Sequence, residues 1–473
     1  MNGRPKLRQI RNAFIPSLSD ESGSLVTISI DELGYIASIS PSSPGDPSPT
    51  LPPDTIYDAK GHLVVPSFAE PHLHLDKALI LSRTPTRSGT FAEALERTAE
   101  ARANFTVEDT LARARRALKR AVVCGVTHAR SFVEVDTKVG LSLLTALHQL
   151  YTEVHPHTVD LQLAAFAQDG ITNLPGTETL LRNAVDRNNP TRAHLVASAP
   201  YTDPDPIRNA DIVLDIAQEV GCDVDFHLDF LDRGKPWASD GDTPGNTLML
   251  PYIARSTIAR SLQHRVTVGH CAALSDLAPH DLAEVARLVS EAGVNVVALP
   301  GTDMYMWGRR DLEVAGGTRR GVAPLDRMAG QGCGCAVSSN NLQNLFSPLT
   351  DFDPLKTASL TCTALHLTSP SASHLALEFT TTRARQCMGL RPPGPELASV
   401  ASAFQPGEPA DFVVLMGPLS DGEAEAETGE EGEVIQGRHL RSLHEAMCYA
   451  DVERMVIKAG KLVVETRKQR LWS

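Results

Sequence analysis

Two histidines that are two residues apart are the first candidates for chemistry in this sequence. His72 and His74 lie in the segment F-A-E-P-H-L-H-L-D-K, which follows an apolar run typical of a buried strand. Residues i and i+2 of a strand point to the same face, so both imidazole rings can reach one point as ligands of Zn²⁺ or Fe²⁺. The same spacing recurs at His155-Pro156-His157, but there proline interrupts the pair and a strand follows it, so we interpret these residues as a loop.

Two further histidines each end or nearly end a predicted strand. His227 lies in V-D-F-H-L-D-F, and His270 closes V-T-V-G-H. A lone histidine is more often structural than catalytic. Here two histidines end strands downstream of an H-x-H pair. This pattern favours one centre shared by all four histidines, because active sites of parallel α/β barrels form at the carboxyl ends of the strands.

The centre of the chain contains the alternating elements that could position these residues. Residues 106–122, for example, begin with a capping-box-like T-V-E-D and place Leu111 and Leu118 on one helical face. Strand and helix alternate eight times, which predicts an α/β fold of the (β/α)8 barrel type, with a doubly wound open sheet as the alternative. The eight apolar runs are Val64–Phe68, Val126–Val133, Leu161–Phe166, His194–Ala199, Asp223–Asp229, Arg265–His270, Val294–Leu299 and Cys335–Ser339.

Both ends of the chain are typical of β structure. Leu25–Ile30 and Tyr35–Ile39 surround a D-E-L-G turn and predict a hairpin. Ala410–Met416 and Met455–Val464 are strand-like near the other end. We therefore expect the two ends to pair into one small β-sandwich domain.

The expected domain division follows from the change between strand-rich ends and a centre of alternating strands and helices. Residues 1–65 and 404–473 would form the β-sandwich, and residues 66–403 would form the barrel. Within the C-terminal part, the acidic, glycine-rich stretch 417–438 is predicted to be a disordered loop.

Composition restricts the class of protein. The 473 residues include 42% hydrophobic and 21% charged residues, which suits a barrel with a small additional domain. The net charge of −13 disfavours nucleic acid and anionic membranes as partners, because phosphate binding requires clustered lysine and arginine. No C-x-x-C pair and no apolar run of membrane-spanning length occur. We expect a soluble cytoplasmic protein with reduced thiols that acts on a small molecule.

Several ordered segments resemble the amidohydrolase superfamily, in particular its cytosine deaminase and isopropylammelide hydrolase branch. V-V-P-S-F-A-E-P-H-L-H-L-D-K is similar to the motif of the first barrel strand in that branch. Residues 160–171, 265–274 and 308–328 are similar to the third strand, the sixth strand and the segment after the seventh. The resemblance implies a barrel with a β-sandwich, one divalent metal ion (Zn or Fe), and hydrolysis of carbon–nitrogen bonds.

The resemblance also implies a role for each matching residue. His72, His74 and His227 would be metal ligands, and His270 would orient or polarise the water. The fourth ligand of the family is an aspartate after strand eight, which also takes a proton from water, but Asn340 occupies that position here. An amide can ligate weakly through its oxygen, yet it cannot act as a general base near neutral pH.

A second departure affects proton transfer. Relatives carry a glutamate three residues after the ligand histidine of strand five, where this chain has Phe230. A benzyl group transfers no proton, although it can stack on a flat heterocycle. The remaining candidates for the proton role are Asp229, Asp232, His270 and Lys77. We choose Asp229, because on an ideal strand it shares the face of the ligand histidine two residues before it.

Four further side chains are expected to contact a substrate alongside Phe230. Gln168 matches the glutamine that hydrogen-bonds the amide edge of the substrate in the family. Lys77 stands where some relatives have a lysine near the site. Trp307 offers a second stacking surface, and Asn341 follows the fourth ligand position.

Two main hypotheses follow. The first is a metal-dependent hydrolase of non-peptide carbon–nitrogen bonds that deaminates a small N-heterocycle, such as a cytosine-like pyrimidine or an aminotriazine. The second is a catalytically impaired homologue that binds a ligand or partner, which the loss of both carboxylates favours. A hydrolase of the same fold acting on a ring amide or lactam is a further alternative. Relatives of this kind often form oligomers, so assembly into a homo-oligomer is an alternative to a monomer.

Overall fold

The computed structural model describes residues 6–16, 24–42, 51–230, 248–307, 320–416, 440, 442–448 and 452–465. The acidic segment 417–438, for which we predict a disordered loop, lies outside these residues. Within the described ranges, no helix combines the length and the apolar character needed to cross a membrane.

Five strands precede the barrel: β1 (Gln9–Ala13), β2 (Val26–Ile30), β3 (Ile36–Pro41), β4 (Ile56–Asp58) and β5 (Leu63–Pro66). The first four form one sheet in the order β3-β2-β1-β4. Strands β2 and β3 pair antiparallel around the D-E-L-G turn, so the predicted hairpin is confirmed.

Eight parallel strands form the centre of the molecule: β6 (Phe68–Leu73), β7 (Val126–Glu134), β8 (Asp160–Ala167), β9 (Leu195–Ser198), β10 (Asp223–Leu228), β11 (Val266–His270), β12 (Asn295–Ala298) and β13 (Gly334–Val337). Each strand pairs with its neighbour in chain order. The last returns to the first through a bridge between Leu73 and Asn340 and a 2.9 Å hydrogen bond from the backbone N–H of His74 to the carbonyl of Asn340. The predicted (β/α)8 barrel is confirmed.

Helices connect these strands and cover the barrel. Helix α2 begins as predicted, because the Thr106 hydroxyl accepts a hydrogen bond from the backbone N–H of Asp109, and Ala114 and Leu118 face the core. The described helices are α1 (Phe91–Arg102), α2 (Val107–Val123), α3 (Ser142–Val154), α4 (Thr177–Val185), α5 (Pro206–Val220), α6 (Leu250–Ala259), α7 (Pro279–Glu291), α8 (Pro300–Met306), α9 (Leu325–Gly330), α10 (Pro354–Leu365), α11 (Pro370–Thr380), α12 (Thr382–Cys387) and α13 (Leu443–Cys448).

The first predicted barrel strand, Val64–Phe68, is wrong in its position. Residues Leu63–Pro66 form β5, which belongs to a different sheet, and the barrel strand begins at Phe68. Both strands are buried on both faces, so their residues form one continuous buried run. Hydrophobic periodicity cannot locate a break inside such a run.

The C-terminal strands β14 (Phe412–Met416), β15 (Glu453–Lys458) and β16 (Lys461–Glu465) join β5 in a sheet of order β16-β15-β14-β5. The pairing of β5 with β14 confirms that the two ends of the chain meet in one β-domain. The proposed boundaries at residues 65/66 and 403/404 stay predictions.

Candidate metal centre and active site

Three histidine rings converge at the carboxyl ends of the barrel strands. His72 lies in β6, His74 follows it, and His227 lies in β10. The Nε2 atom of His227 is 3.0 Å from Nε2 of His72 and 3.0 Å from Nε2 of His74. Burial holds the pKa of all three imidazoles well below the usual range, so the rings are neutral, which is the form that binds metal ions.

Asn340 lines a cavity beside these histidines. Its Nδ2 atom donates a 2.8 Å hydrogen bond to the hydroxyl of Thr302, which fixes the orientation of the amide. Its Oδ1 atom is buried and has no hydrogen-bond partner among the described residues. A buried acceptor without a partner costs about 1–3 kcal/mol, and a metal ion would satisfy it.

These donors fit a divalent metal ion. Three neutral imidazole nitrogens and one amide oxygen are a suitable set for Zn²⁺ or Fe²⁺. A ring nitrogen of His270 also lies within 4.8 Å of ligand nitrogens of His72 and His227. The Nε2 atoms of His72, His74 and His227 are close enough to share one ion, and the unpartnered oxygen of Asn340 could serve as a fourth ligand.

The ligand rings are held mainly by packing. The ring centroid of His72 is 4.1 Å from that of Phe132. The ring of His227 stacks on that of Phe166, with 4.4 Å between their centroids. The Nδ1 atoms of the three ligand histidines have no hydrogen-bond partner among the described residues. Aromatic contacts therefore orient these rings. In many metal sites the ring is oriented instead by a hydrogen bond from its second nitrogen to a carboxylate or a backbone carbonyl.

His270 ends β11 and has a carboxylate partner. Its Nδ1 atom is 2.7 Å from Oδ1 of Asp303 in α8, and both side chains are buried. The ring of Phe230 lies 4.3 Å from the ring of His270. The structure thus brings His270 to the predicted centre together with an acidic residue that the sequence analysis missed.

A small cavity adjoins the histidines. It has a volume of about 20 Å³, which is room for about one water molecule. Predicted residues form much of its wall, and Phe91, Tyr201, Thr302 and Phe346 are additional lining residues that the sequence patterns did not indicate. The full lining is His74, Lys77, Phe91, Gln168, Tyr201, His227, Phe230, His270, Thr302, Asn340, Asn341 and Phe346.

Lys77 and Gln168 form a polar pair in this wall. The ammonium group of Lys77 donates to Oε1 of Gln168 at 2.8 Å and to Oε1 of Glu134 at 3.0 Å. A protonated lysine has no acceptor, so Gln168 must turn its oxygen towards Lys77. The amide NH₂ group of Gln168 is then left as the donor available to a bound molecule.

Asn341 also lines the cavity, but its amide is engaged locally. Its Oδ1 atom accepts a 2.6 Å hydrogen bond from Nδ2 of Asn344. This contact leaves the NH₂ group of Asn341 as its remaining donor. Phe230, in contrast, presents only its ring to the cavity.

Asp229 and Trp307 are not brought to the cavity. The carboxylate of Asp229 accepts hydrogen bonds from the backbone N–H groups of Met249 and Leu250, at 2.8 and 3.0 Å, at the start of α6. Its φ of +47° breaks the strand geometry on which the predicted proton role depended. Trp307 is buried but is not among the described residues that line the cavity. Asp232 lies outside the described residues.

A larger cleft, of about 790 Å³, lies away from these residues. Its lining includes Tyr151 of α3, Arg192 and His194 before β9, and Cys222 before β10. These positions precede the strands and therefore mark the opposite end of the barrel. Active sites of this fold occur at the carboxyl ends of the strands, so the small cavity is the candidate active site.

Comparisons with known proteins agree with this arrangement. A pterin deaminase of Rhizobium rhizogenes is 27% identical over 363 residues, which are 76% of each chain. An N-isopropylammelide isopropyl amidohydrolase of a Pseudomonas species is 25% identical over 366 residues, 76% of this chain and 81% of that one. The fold is similar to the crystal structure of a 5-methylcytosine deaminase from Klebsiella pneumoniae liganded with phosphonocytosine, with a TM-score of 0.77, 24% identity, and coverage of 98% of this chain and 100% of the other.

A family model supports the same relationship over most of the sequence. The model described as the amidohydrolase family matches residues 55–464. The match includes every barrel strand, all four converging histidines and the strands that return to the β-domain. The chain therefore belongs to the amidohydrolase family.

Proposed function

We propose that this protein is a metal-dependent hydrolase of non-peptide carbon–nitrogen bonds that removes an exocyclic amino or alkylamino group from a small, flat N-heterocycle. The observation that carries the proposal is the convergence of the Nε2 atoms of His72, His74 and His227 beside a cavity with aromatic walls. Membership of the amidohydrolase family supports the reaction class. A bound Zn²⁺ or Fe²⁺ would act as a Lewis acid and polarise a water molecule.

The cavity wall supports a particular orientation of the substrate. The NH₂ group of Gln168 can donate to a ring carbonyl oxygen or to an unprotonated ring nitrogen. The rings of Phe230 and Phe346 offer flat apolar surfaces to the heterocycle. Pyrimidines, pterins and triazines with an amino group next to a ring nitrogen meet these requirements.

Substrate entry requires movement of the wall. A cavity of about 20 Å³ has room for about one water molecule and is far smaller than a typical ligand pocket. The side chains of Phe91, Tyr201 and Phe346 would have to turn or shift to admit a ring. Closure of the same rings over a bound substrate would exclude bulk water from the reaction.

His270 is the proposed proton acceptor, in place of Asp229. Its ring borders the cavity and lies close to His72 and His227, whereas the carboxylate of Asp229 caps α6. His270 would accept a proton from water and later deliver it to the departing nitrogen. Asn340, an amide, would contribute only a ligand oxygen.

The second candidate function is that of a catalytically impaired homologue that binds a ligand. This alternative is based on the expectation, taken from the resemblance, that Asn340 and Phe230 replace the two carboxylates of the usual proton relay. Its expected property is binding of heterocycles without release of ammonia or amine.

A substrate screen separates the two candidates. Protein loaded with Zn²⁺ or Fe²⁺ would be incubated with aminopyrimidines, aminotriazines and pterins, and released ammonia or amine would be measured. We expect release with at least one class, and a loss of about 10²- to 10⁴-fold in the His270→Ala variant. Release of ring-opened acid without amine would point to a ring amide substrate, and no product with any class would favour the impaired homologue.

A further inference from the structure

Asp303 is a buried carboxylate whose two oxygens are both engaged. Oδ1 lies 2.7 Å from Nδ1 of His270, and Oδ2 accepts the backbone N–H of Leu299 at 3.0 Å. The side chain is fully buried in α8, immediately after β12. Two fixed partners prevent the carboxylate from turning away from the imidazole ring.

This contact determines which nitrogen of His270 carries the proton. A carboxylate can only accept hydrogen bonds, so Nδ1 must be the protonated nitrogen of the neutral ring. The other nitrogen, Nε2, then has a free lone pair. With Nδ1 held by Asp303, Nε2 is the nitrogen available to the cavity and to the ligand atoms of His72 and His227.

Other contacts fix the direction of the ring. Phe230 packs against it at 4.3 Å between centroids. The backbone of His270 is left-handed, with φ of +72°, and Cys271 follows with φ of +53°. Non-glycine residues adopt this conformation at a cost of about 1–3 kcal/mol each, and such residues occur often at active sites.

We propose that Asp303 is the positioning carboxylate of this site and holds His270 in the tautomer whose unprotonated Nε2 faces the metal centre. A carboxylate is thereby retained next to the reaction, although it contacts the proton acceptor and not the metal. Asp303 compensates for the amide at position 340, which cannot accept a proton from water. The inference rests on the proposed function for its catalytic consequence, and on the geometry alone for the tautomer.

The proton transfers in this scheme balance. Water gives one proton to Nε2 of His270 while its oxygen bonds to the ring carbon that carries the amino group. Nε2 then gives the same proton to the amino nitrogen, whose bond to carbon breaks, and ammonia or an amine leaves. His270 returns to its starting tautomer, and Asp303 holds the Nδ1 proton throughout.

Asp303→Asn tests the proposal with little change in shape. The backbone N–H of Leu299 still requires an acceptor, so the amide oxygen will face Leu299 and the NH₂ group will face Nδ1 of His270. Nδ1 must then accept, and the proton moves to Nε2. We expect kcat to fall by about 10²- to 10⁴-fold with little change in KM or in bound metal.

The tautomer itself can be measured without turnover. In protein labelled with ¹⁵N-histidine, His270 would be assigned by comparison with His270→Gln. We expect a protonated Nδ1 and an unprotonated Nε2 in the unmodified protein, and the reverse in Asp303→Asn. Asp281→Asn is the matched control, because it changes an aspartate beside the exposed His280 on α7 and should leave both readouts unchanged.

Several outcomes would overturn the proposal. One is an unmodified protein in which His270 carries its proton on Nε2, a result that does not depend on the folding of Asp303→Asn. Another is an Asp303→Asn protein that keeps the wild-type tautomer or the wild-type kcat. If no substrate is turned over, the proposed function fails, yet the ¹⁵N spectrum still decides whether Asp303 sets the tautomer.

Discussion

Lys77 places an amine in a mainly aromatic wall of the active-site cavity. Its Nζ atom lies 5.6 Å from the ring centre of Phe166 and 5.2 Å from that of Phe346. Its hydrogen-bond acceptors are Glu134 and Gln168. Burial lowers its pKa to about 8, in spite of the nearby carboxylates that favour the charged form. Lys77 therefore loses its proton in the folded protein at a lower pH than in the unfolded chain.

This difference predicts a pH dependence of stability. Between about pH 8, the pKa in the folded state, and pH 10.5, the ordinary value, the unfolded chain binds more protons than the folded protein. The free energy of unfolding therefore receives a contribution from Lys77 that rises with pH across this window. We expect Lys77→Met to remove that rise in denaturant titrations from pH 7.5 to 10.5, and Lys138→Met, at an exposed lysine, to retain it. An identical slope in wild type and Lys77→Met would contradict this account.

Single residues also explain which of the predicted site residues the structure brings together. His72, His74, His227 and His270 were identifiable because strand periodicity places them at strand ends. The carboxylate of Asp229 lies at the start of α6 and not at the cavity, because its φ of +47° ends the alternation of faces on which the i, i+2 rule depends.

Gln168, Lys77 and Phe230 were identifiable only through resemblance to the family, and all three line the cavity. Asp303 carries no such signal. Its role arises from a contact with His270, which is 33 residues away in sequence and lies in a different element.

At the scale of elements, the close approach of β11 to β6 restricts the position of the His72 ring, a candidate metal ligand. Gly269 in β11 lies against the ring of His72 in β6. A Cβ atom at position 269 would be 2.4 Å from Cε1 and 2.6 Å from Nδ1 of that ring. The ring of His72 is buried and packed against Phe132, so it could move away from such a Cβ atom only by changing its orientation.

Gly269→Ala should therefore weaken metal binding while the barrel stays folded. We expect the affinity for Zn²⁺ to fall by about 10- to 100-fold, the range for changes that misorient ligands. Competition with a chromophoric chelator measures this affinity. Gly330→Ala in α9 is the control, because a Cβ atom there would contact nothing within 4 Å. Equal affinities in the two variants would show that Gly269 does not set the position of His72.

The elements were predictable to the extent that their patterns are local. Helix α2 was located by its cap and its apolar face, and seven of the eight predicted apolar runs coincide with observed barrel strands, whereas the first shares only Phe68 with β6. The boundary between β5 and β6 was missed because Leu63–Pro66 and Phe68–Leu73 form one continuous buried run. The two strands are distinguished by their pairing with residues distant in sequence, since β5 pairs with β14 and β6 pairs with β7.

At the scale of the whole molecule, the β-domain is attached to the barrel by ion pairs, one fully buried and one partly buried. Arg454 in β15 contacts Asp353 at 2.9 Å, and Asp353 also caps the first turn of α10. Lys458, further along β15, contacts Asp160 of β8 at 2.7 Å. These contacts connect residues near the end of the chain to the framework that carries the histidines.

Removing one partner of the first pair should destabilise the protein. Arg454→Met leaves Asp353 buried without its cation, for which we expect a loss of about 3–5 kcal/mol in the free energy of unfolding. Arg115→Met removes an exposed pair with Glu153 and should cost at most about 1 kcal/mol. Denaturant titration of both variants measures the difference. Equal losses would mean that the Arg454 pair does not fasten the two domains.

The central claim is that this barrel holds a metal ion, and metal content tests it most directly. Elemental mass spectrometry of the purified protein should find about one Zn or Fe per chain. The metal should be lost in His72→Ala and retained in His157→Ala, which changes the other H-x-H segment in an exposed position. A folded wild-type protein that contains no tightly bound metal, and takes up none when Zn²⁺, Fe²⁺ or Mn²⁺ is added, would contradict the account.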